Sequence, residues 1–420
     1  MPLSQEQLGG LHWKKTVYGP EPEWTVDPEL KSIKSTLRPL WPSKRIKASR
    51  FSQGAFNKLY EISVEGQPPL LLRITLPVDP RYKTLSEVAT IRWVSQLGII
   101  PVPRIIHYNC FRDSPVGFEW ILMTKLEGTR LCDNWSNIDF TRKQDLVKQF
   151  ASFSANLYNQ KFRGIGNIYP GSLSTALPGL PPTGRIVSMP FFWNNNIHQD
   201  INRGPFRSSQ EWLSTRLSLY ESDCTSVLEK YKDNAELDKD AEAELDNATR
   251  TLNIVEKLQP LLDQIFPNQS PIEERTVLWH GDLHLANILT DKRGKLTGVV
   301  DWECVSALPI WKACSYPRFL ESKTRNKKPD ITRYSHLELY QDHLMEYEMT
   351  QLRVVFLEEM GKLNPRWVSM FNACQVERDF DLAVKYCDCE SSSRQILEWA
   401  DNIASGRDNE RSLREMFYKH

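Results

Sequence analysis

The residues richest in chemistry form one short stretch, His280-Gly281-Asp282-Leu283-His284-Leu285-Ala286-Asn287, followed by Val299-Val300-Asp301-Trp302-Glu303. Two carboxylates and a carboxamide in this order suit phosphoryl transfer from a nucleotide. That reaction needs one group to orient and deprotonate an attacking hydroxyl, and hard oxygen ligands to hold a divalent metal on the phosphates. On this reading Asp282 accepts the hydroxyl proton, while Asn287 and Asp301 offer oxygens to Mg²⁺. Apolar Val277 to Trp279, Ile288 to Leu289 and Leu296 to Val300 read as strands, and a turn at Lys292 to Gly294 is expected to fold Asp301 back beside the loop.

These residues need elements to hold them. Upstream, Lys58 to Val64 and Leu70 to Leu76 read as two strands joined in a hairpin-like arrangement, and Thr84 to Leu97 as a helix with Thr84 as its cap and Gly98 as its stop. Alternation along the second strand puts Leu70, Leu72, Ile74 and Leu76 on one face and Arg73 on the other. On the helix, Glu87 shares a stripe with Ile91 and Val94, so its carboxylate points into packing and needs a partner, for which Arg73 is the natural candidate. A further strand, Trp120 to Met123, leads into the connector Leu126-Glu127-Gly128, which reads as a lobe boundary.

Residues 1–45 show no clean period and read as an extension packed on the fold or partly disordered. Residues 164–210 are rich in Gly, Pro, Ser and Asn and read as loops. Their aromatics Phe191, Phe192, Trp193 and Phe206, with Trp212, either line a substrate pocket or anchor the loops to a core. Residues 211–265 read as helical, with the charged run Glu229 to Glu244 as a solvated face, and the remainder to His420 reads as several helices.

Composition sets limits. The 420 residues exceed one ordinary core, and 53 basic against 53 acidic side chains leave nothing global to attract nucleic acid or anionic lipid. Met1 to Lys15 lack a signal-peptide run, and no stretch reaches the roughly 18 apolar residues of a membrane span, so a soluble protein is expected. Eight scattered cysteines read as reduced thiols, the Cys387/Cys389 pair included.

The pattern H-G-D-x-x-x-x-N followed by two apolar residues and D-W-E resembles the catalytic and metal-binding segments of the aminoglycoside phosphotransferase family and the related choline or sugar kinases. The resemblance implies an α+β, protein-kinase-like fold with a small β-rich N-lobe over residues 46–124 and a large, mainly helical C-lobe over residues 125–420, with an insertion at 160–270 capping the substrate site. It implies Asp282 as catalytic base and Asn287 and Asp301 as metal ligands, with Glu303 helping to position them. It also implies a phosphate-covering turn at Gly54 and Phe56, contact of Arg73 with the α- and β-phosphates in a pair with Glu87, and a hinge at Met123 to Leu126 on the adenine. Arg73 departs from the usual lysine, and arginine's planar fork is not equivalent. His284 is read as orienting backbone carbonyls, not as a metal ligand.

The implied activity is ATP-dependent transfer to a hydroxyl of a small molecule, with Mg²⁺. A pseudokinase acting as a nucleotide- or partner-binding module is the alternative. A protein kinase is disfavoured because Glu303 stands where glycine is usual and no Ala-Pro-Glu segment follows. The wording F-x-x-G-x-F-N-K-L and S-E-V-A-T is similar to fungal phosphotransferase-family proteins, some linked to mitochondria, so a cytoplasmic location is expected with mitochondrial association left open.

Overall fold

The chain opens with a hairpin of β1 (Leu11–Thr16) and β2 (Gly19–Trp24), then the helix Leu30–Leu37. A five-stranded antiparallel sheet follows, built from β3 (Ile46–Gln53), β4 (Asn57–Val64), β5 (Leu70–Thr75), β6 (Ile105–Asn109) and β7 (Glu119–Thr124) in the order β3-β4-β5-β7-β6. The computed structural model describes residues 8–16, 19–171, 179–233, 236–267, 273–407 and 411–418. Residues 1–7 of the extension and 172–178 of the Gly- and Pro-rich stretch lie outside these.

Alternation on the sheet does what period two dictates. Leu70, Leu72 and Ile74 bury one face of β5 with Tyr60, Ile62 and Trp120, and the helix Leu30–Leu37 covers that face through Ile33 and Leu37. The described part of the extension is therefore packed. β3 escapes the sequence pattern because its edge position leaves most of IKASRFSQ exposed, so no apolar period marks it.

The helix on the opposite face runs Tyr82–Leu97 and starts two residues before the expected cap. Arg81 takes the N-cap position with a left-handed φ of 67°, and its backbone N–H donates to Glu119 Oε1 at 2.5 Å. Thr84 is instead buried inside the first turn. Gly98, also left-handed, ends the helix as expected.

Beyond Thr124 the chain becomes mainly helical. Two small sheets stand at the junction: β8 (Thr129–Arg130) pairs with β11 (Ile288–Thr290), which pairs with β12 (Leu296–Val299); β9 (Lys161–Arg163) and β13 (Ser306–Pro309) flank β10 (Arg275–Trp279). Helices Phe140–Asn159 and Leu337–Leu363 pack together and enclose Phe150, Trp302, Phe356 and Trp367. The stretch 211–265, read as helical, forms two helices, Ser209–Tyr231 and Lys239–Ile265, the second capped by Asp238 accepting from the Ala241 N–H at 2.8 Å. The fold is α+β and two-lobed, a β-rich N-lobe on a helical C-lobe. Among the described residues no helix is long and apolar enough to cross a membrane.

One buried ion cluster ties the distant helices to the junction. Asp381, on the helix Gln375–Lys385, accepts from Arg216 Nη1 and, at 2.5 Å, from Lys312 Nζ. Lys312 in turn lies over the Trp279 ring, 4.9 Å from its centroid. Burial works to raise the Asp381 carboxyl, but the two cations outweigh it and hold it well below the usual range. Asp381→Asn leaves the buried Arg216 and the partly buried Lys312 uncompensated, so it is expected to cost about 3–5 kcal/mol of unfolding free energy in urea titrations at pH 7. A depressed carboxyl stabilises above its unfolded value of about 3.9 and loses that stability as pH falls. The gap between wild type and variant should therefore narrow below about pH 4.

Candidate active site

β10 delivers the loop His280 to Asn287 to the junction of the lobes. Gly281 is required there, because a Cβ would sit 2.4 Å from a carbon of the Trp279 ring. His280 is buried against Trp302, ring centroids 4.9 Å apart, and its Nδ1 faces the Asp282 N–H at 3.4 Å. Burial depresses its proton affinity to about 4 against the opposing pull of Asp282, so the ring is neutral near pH 7.

Asp282 is half exposed, and its two oxygens have different neighbours. Oδ2 accepts from Asn287 Nδ2 at 3.2 Å and lies 3.3 Å from His284 Nε2, while Oδ1 accepts from Arg318 Nη1 at 2.5 Å. His284 was expected to orient carbonyls; it accepts instead, taking the Ala286 N–H on Nδ1 at 3.2 Å and capping the short turn Leu285–Asn287. That bond fixes the proton of neutral His284 on Nε2, facing Asp282. Asn287 gives its amide nitrogen to Asp282 through both the side chain and the carbonyl, the latter at 2.9 Å. Its amide oxygen is what remains to offer a cation.

The β11–β12 ladder pairs Ile288 with Val299, and the Val300 N–H donates to the Asn287 carbonyl at 2.9 Å. This return carries Asp301 back to the loop in a left-handed conformation, φ 63°. Such backbone is uncommon outside glycine and is kept where its surroundings enforce it. Trp302 supplies the enforcement: its ring is buried and its Nε1 donates to the Val299 carbonyl at 3.0 Å.

The two lobes meet in a cluster of charges. Arg73, only 6% exposed, places Nη2 at 2.9 Å from Asp301 Oδ1 and 2.8 Å from Glu303 Oε2, and Nη1 at 3.3 Å from Glu87 Oε1. The Arg73–Glu87 pair anticipated from the strand and helix faces is present, but neither Glu87 oxygen receives a well-formed hydrogen bond. Burial therefore wins and pushes the Glu87 carboxyl up to about 7 against the pull of Arg73. Glu303 goes the other way. Burial raises it, but Lys83 and Arg73 together hold it at about 2. Burial and the neighbouring Glu303 push Asp301 up.

Lys83 is the functional residue that sequence reasoning missed. It is buried in the first turn of the helix Tyr82–Leu97, with Nζ 2.5 Å from Glu303 Oε2 and 3.3 Å from Asn57 Oδ1. Asn57 Nδ2 also donates to Glu303 Oε2, at 2.9 Å. The available signal was spacing: Lys83 lies four residues before Glu87, one helical turn away on the same stripe.

The remaining predicted residues are spread more loosely. The Gly54 N–H closes the turn onto the Asn57 carbonyl at 2.9 Å, and a Cβ there would meet nothing within 4 Å. The Phe56 ring is not free above a phosphate site: it is buried edge-on against Phe192 at 5.5 Å and Trp193 at 6.0 Å. Met123 is buried near the end of β7, and Leu126 packs against Gly298 beyond it. Phe191, Phe206 and Trp212 belong to the helical-lobe core, so these aromatics anchor loops. Among the described residues no three His, Cys, Asp or Glu side chains gather as a metal cage, and the oxygens on offer at the junction are those of Asn287, Asp301 and Asp282.

Comparison with known proteins gives four findings. Residues 47–311 match the model of the phosphotransferase enzyme family. A subtelomeric hrmA-associated cluster protein of Aspergillus fumigatus is 25% identical over 354 residues, covering 75% of this chain and 68% of its own. A clavilactone A biosynthesis cluster protein of Ampulloclitocybe clavipes is 28% identical over 319 residues, 72% of each chain. Among solved structures, the spectinomycin phosphotransferase in complex with ADP and spectinomycin superposes with a TM-score of 0.44 at 13% identity, over 93% of this chain and 98% of that one.

The raised Glu87 carboxyl makes stability depend on pH in a stated direction. A folded value near 7 against an ordinary 4.5 means that its favourable contribution is full below about pH 4.5 and is lost as pH rises through 7. Glu87→Gln stays neutral throughout. The melting temperature of the wild type, measured relative to this variant, is expected to fall between pH 4.5 and 7; a constant difference would rule the account out.

Proposed function

Because the chain belongs to the phosphotransferase enzyme family, we propose that it moves the γ-phosphoryl group of ATP to a hydroxyl of a small molecule. The observation that carries this reading is the direct contact of Asn287 with Asp282, at 2.9 and 3.2 Å, beside an Asp301 held in left-handed backbone. A base, an amide oxygen and a second carboxylate are thereby gathered at the mouth between the lobes, with Arg73 and Lys83 facing them from the N-lobe.

Asp282 takes the proton of the attacking hydroxyl on its exposed carboxylate, and Asn287 and His284 hold that carboxylate in orientation through Oδ2. Asn287 and Asp301 supply the hard oxygens that a magnesium ion on a triphosphate takes. When bound, such a metal offsets charge on the transferring phosphoryl oxygens. Arg73 turns part of its fork to the α- and β-phosphates, the backbone at Gly54 covers them, and the segment from Met123 to Leu126 meets the adenine. Lys83 keeps Glu303 neutralised while Arg73 is engaged elsewhere.

One observation favours a second reading. Arg73 Nη2 sits directly on Asp301, the proposed metal ligand, as it would in a module that binds nucleotide without turnover. The two readings separate on magnesium.

Calorimetric titration with ATP is expected to show binding that strengthens with Mg²⁺ in the wild type and loses that gain in Asp301→Asn. Nucleotide binding that ignores Mg²⁺ would favour the silent module, and no binding would sink the phosphotransferase reading and leave a partner-binding module. With an acceptor in hand, Asp282→Asn should lower turnover by about 10²–10⁴-fold, with an unchanged circular dichroism melt.

A further inference from the structure

The base of the proposed reaction is ion-paired from the acceptor side. Oδ2 of Asp282 faces Asn287, the nucleotide side of the site, so an incoming hydroxyl is left with Oδ1, and Oδ1 is where Arg318 stands at 2.5 Å. Resting on the phosphotransferase reading, we infer that Arg318 is an acceptor-binding residue and that the acceptor carries an anionic group, a carboxylate or a phosphate, beside the hydroxyl it presents to Asp282.

Arg318 is not a loose surface side chain. Its turn, Arg318–Leu320, is pinned to the catalytic loop by the Phe319 N–H donating to the Leu283 carbonyl at 2.9 Å. Phe319 is buried against Phe150, ring centroids 5.1 Å apart, and Arg353 Nη1 donates to the Leu320 carbonyl at 2.9 Å. The backbone thus fixes the root of the guanidinium, while 51% of the side chain stays exposed.

Only one of its N–H groups is spent on Asp282, and among the described residues Asp282 is its only ion-pair partner. The neighbouring carboxylate, Glu321, is already paired with Arg414 at 2.6 Å and does not compete. A guanidinium presents several donors in a rigid fork that matches carboxylate and phosphate oxygens. An acceptor bearing such a group draws Arg318 off Oδ1, which binds the acceptor and exposes the base in one exchange. An amine-bearing acceptor has to approach the same oxygen against the positive charge of Arg318. Exposed Lys323, Lys327 and Lys328 extend the positive potential along the same segment.

The test uses the full chain loaded with Mg²⁺ and a non-hydrolysable ATP analogue, and four probes built on one six-carbon skeleton: gluconate, glucose 6-phosphate, glucitol and glucosamine. Calorimetry is expected to give gluconate or glucose 6-phosphate an affinity about tenfold or more above glucitol, the scale of one charge-assisted fork, with glucosamine weakest. The difference between gluconate and glucose 6-phosphate tells carboxylate from phosphate. Arg318→Ala should erase the preference and Arg318→Lys keep only part of it, with circular dichroism melts as the folding control.

Tightest binding of glucosamine, no preference among the four probes, or a preference untouched by Arg318→Ala would each overturn the inference. The nucleotide titration of the wild type is read separately. If the analogue binds with Mg²⁺ and the anions fail, only the acceptor class is wrong; if the analogue does not bind, the phosphotransferase reading has failed first.

Discussion

Charge balance in the space between the lobes constrains everything else. Arg73 and Lys83 bring two cations from the N-lobe, and Glu87, Asp301 and Glu303 bring three carboxylates to meet them. Buried charges that are not matched are costly by several kcal/mol each, so three against two cannot all ionise without help. The carboxyl that yields is Glu87, whose oxygens receive no well-formed hydrogen bond and whose proton affinity is raised by burial. Where Glu87 holds its proton, below about pH 7, two cations face two carboxylates. On the proposed reading, a metal and a triphosphate would bring both signs to this space together, so that Asp301 could turn from Arg73 to a metal without stranding the guanidinium.

That balance requires the lobes to be held in register, and apolar packing does it. Phe56 in the turn after β3 stacks into Phe192 and Trp193 of the long insertion, and Trp193 also meets Trp13 of the first hairpin at 5.0 Å. Leu76, Val78 and Val187 close the same cluster, and Arg185 reaches across to the buried Asp79 with a 2.8 Å contact. Sequence composition gave these aromatics two roles, pocket or anchor. The burial of Phe191, Phe192, Phe206 and Trp212, with the half-buried Trp193 packed on Phe56, makes them anchors.

Motifs local in sequence were legible. The loop from His280 to Asn287, the hairpin that returns Asp301, the alternation that turns Arg73 to the helix and the stripe that turns Glu87 to the strand all follow from short-range periodicity. What could not be read depends on contacts distant in sequence. Lys83 looks like a solvated first-turn lysine until the chain brings Glu303 onto it from 220 positions away. Arg318 lies outside every motif and acquires meaning only through the Phe319–Leu283 backbone bond. The early helix start at Tyr82 depends on the left-handed Arg81, a conformation that side-chain propensity for caps does not announce. Edge strand β3 was missed because exposure removed the pattern that identifies a strand.

The residue after Asp301-Trp302 decides how this site can be controlled. Where protein kinases have glycine, a free hinge lets the metal-binding segment swing between arrangements. Glu303 is instead gripped by Arg73, Lys83 and Asn57 through one oxygen. Swinging the segment out would leave two buried cations unmatched and expose a Trp302 ring packed against His280 and Phe153, at 4.9 and 6.3 Å. Each loss is of a kind that costs several kcal/mol. The segment from Asp301 to Glu303 is therefore held in place. On the proposed reading, what is left free to change is what enters the site, past the half-exposed Arg318 on Asp282.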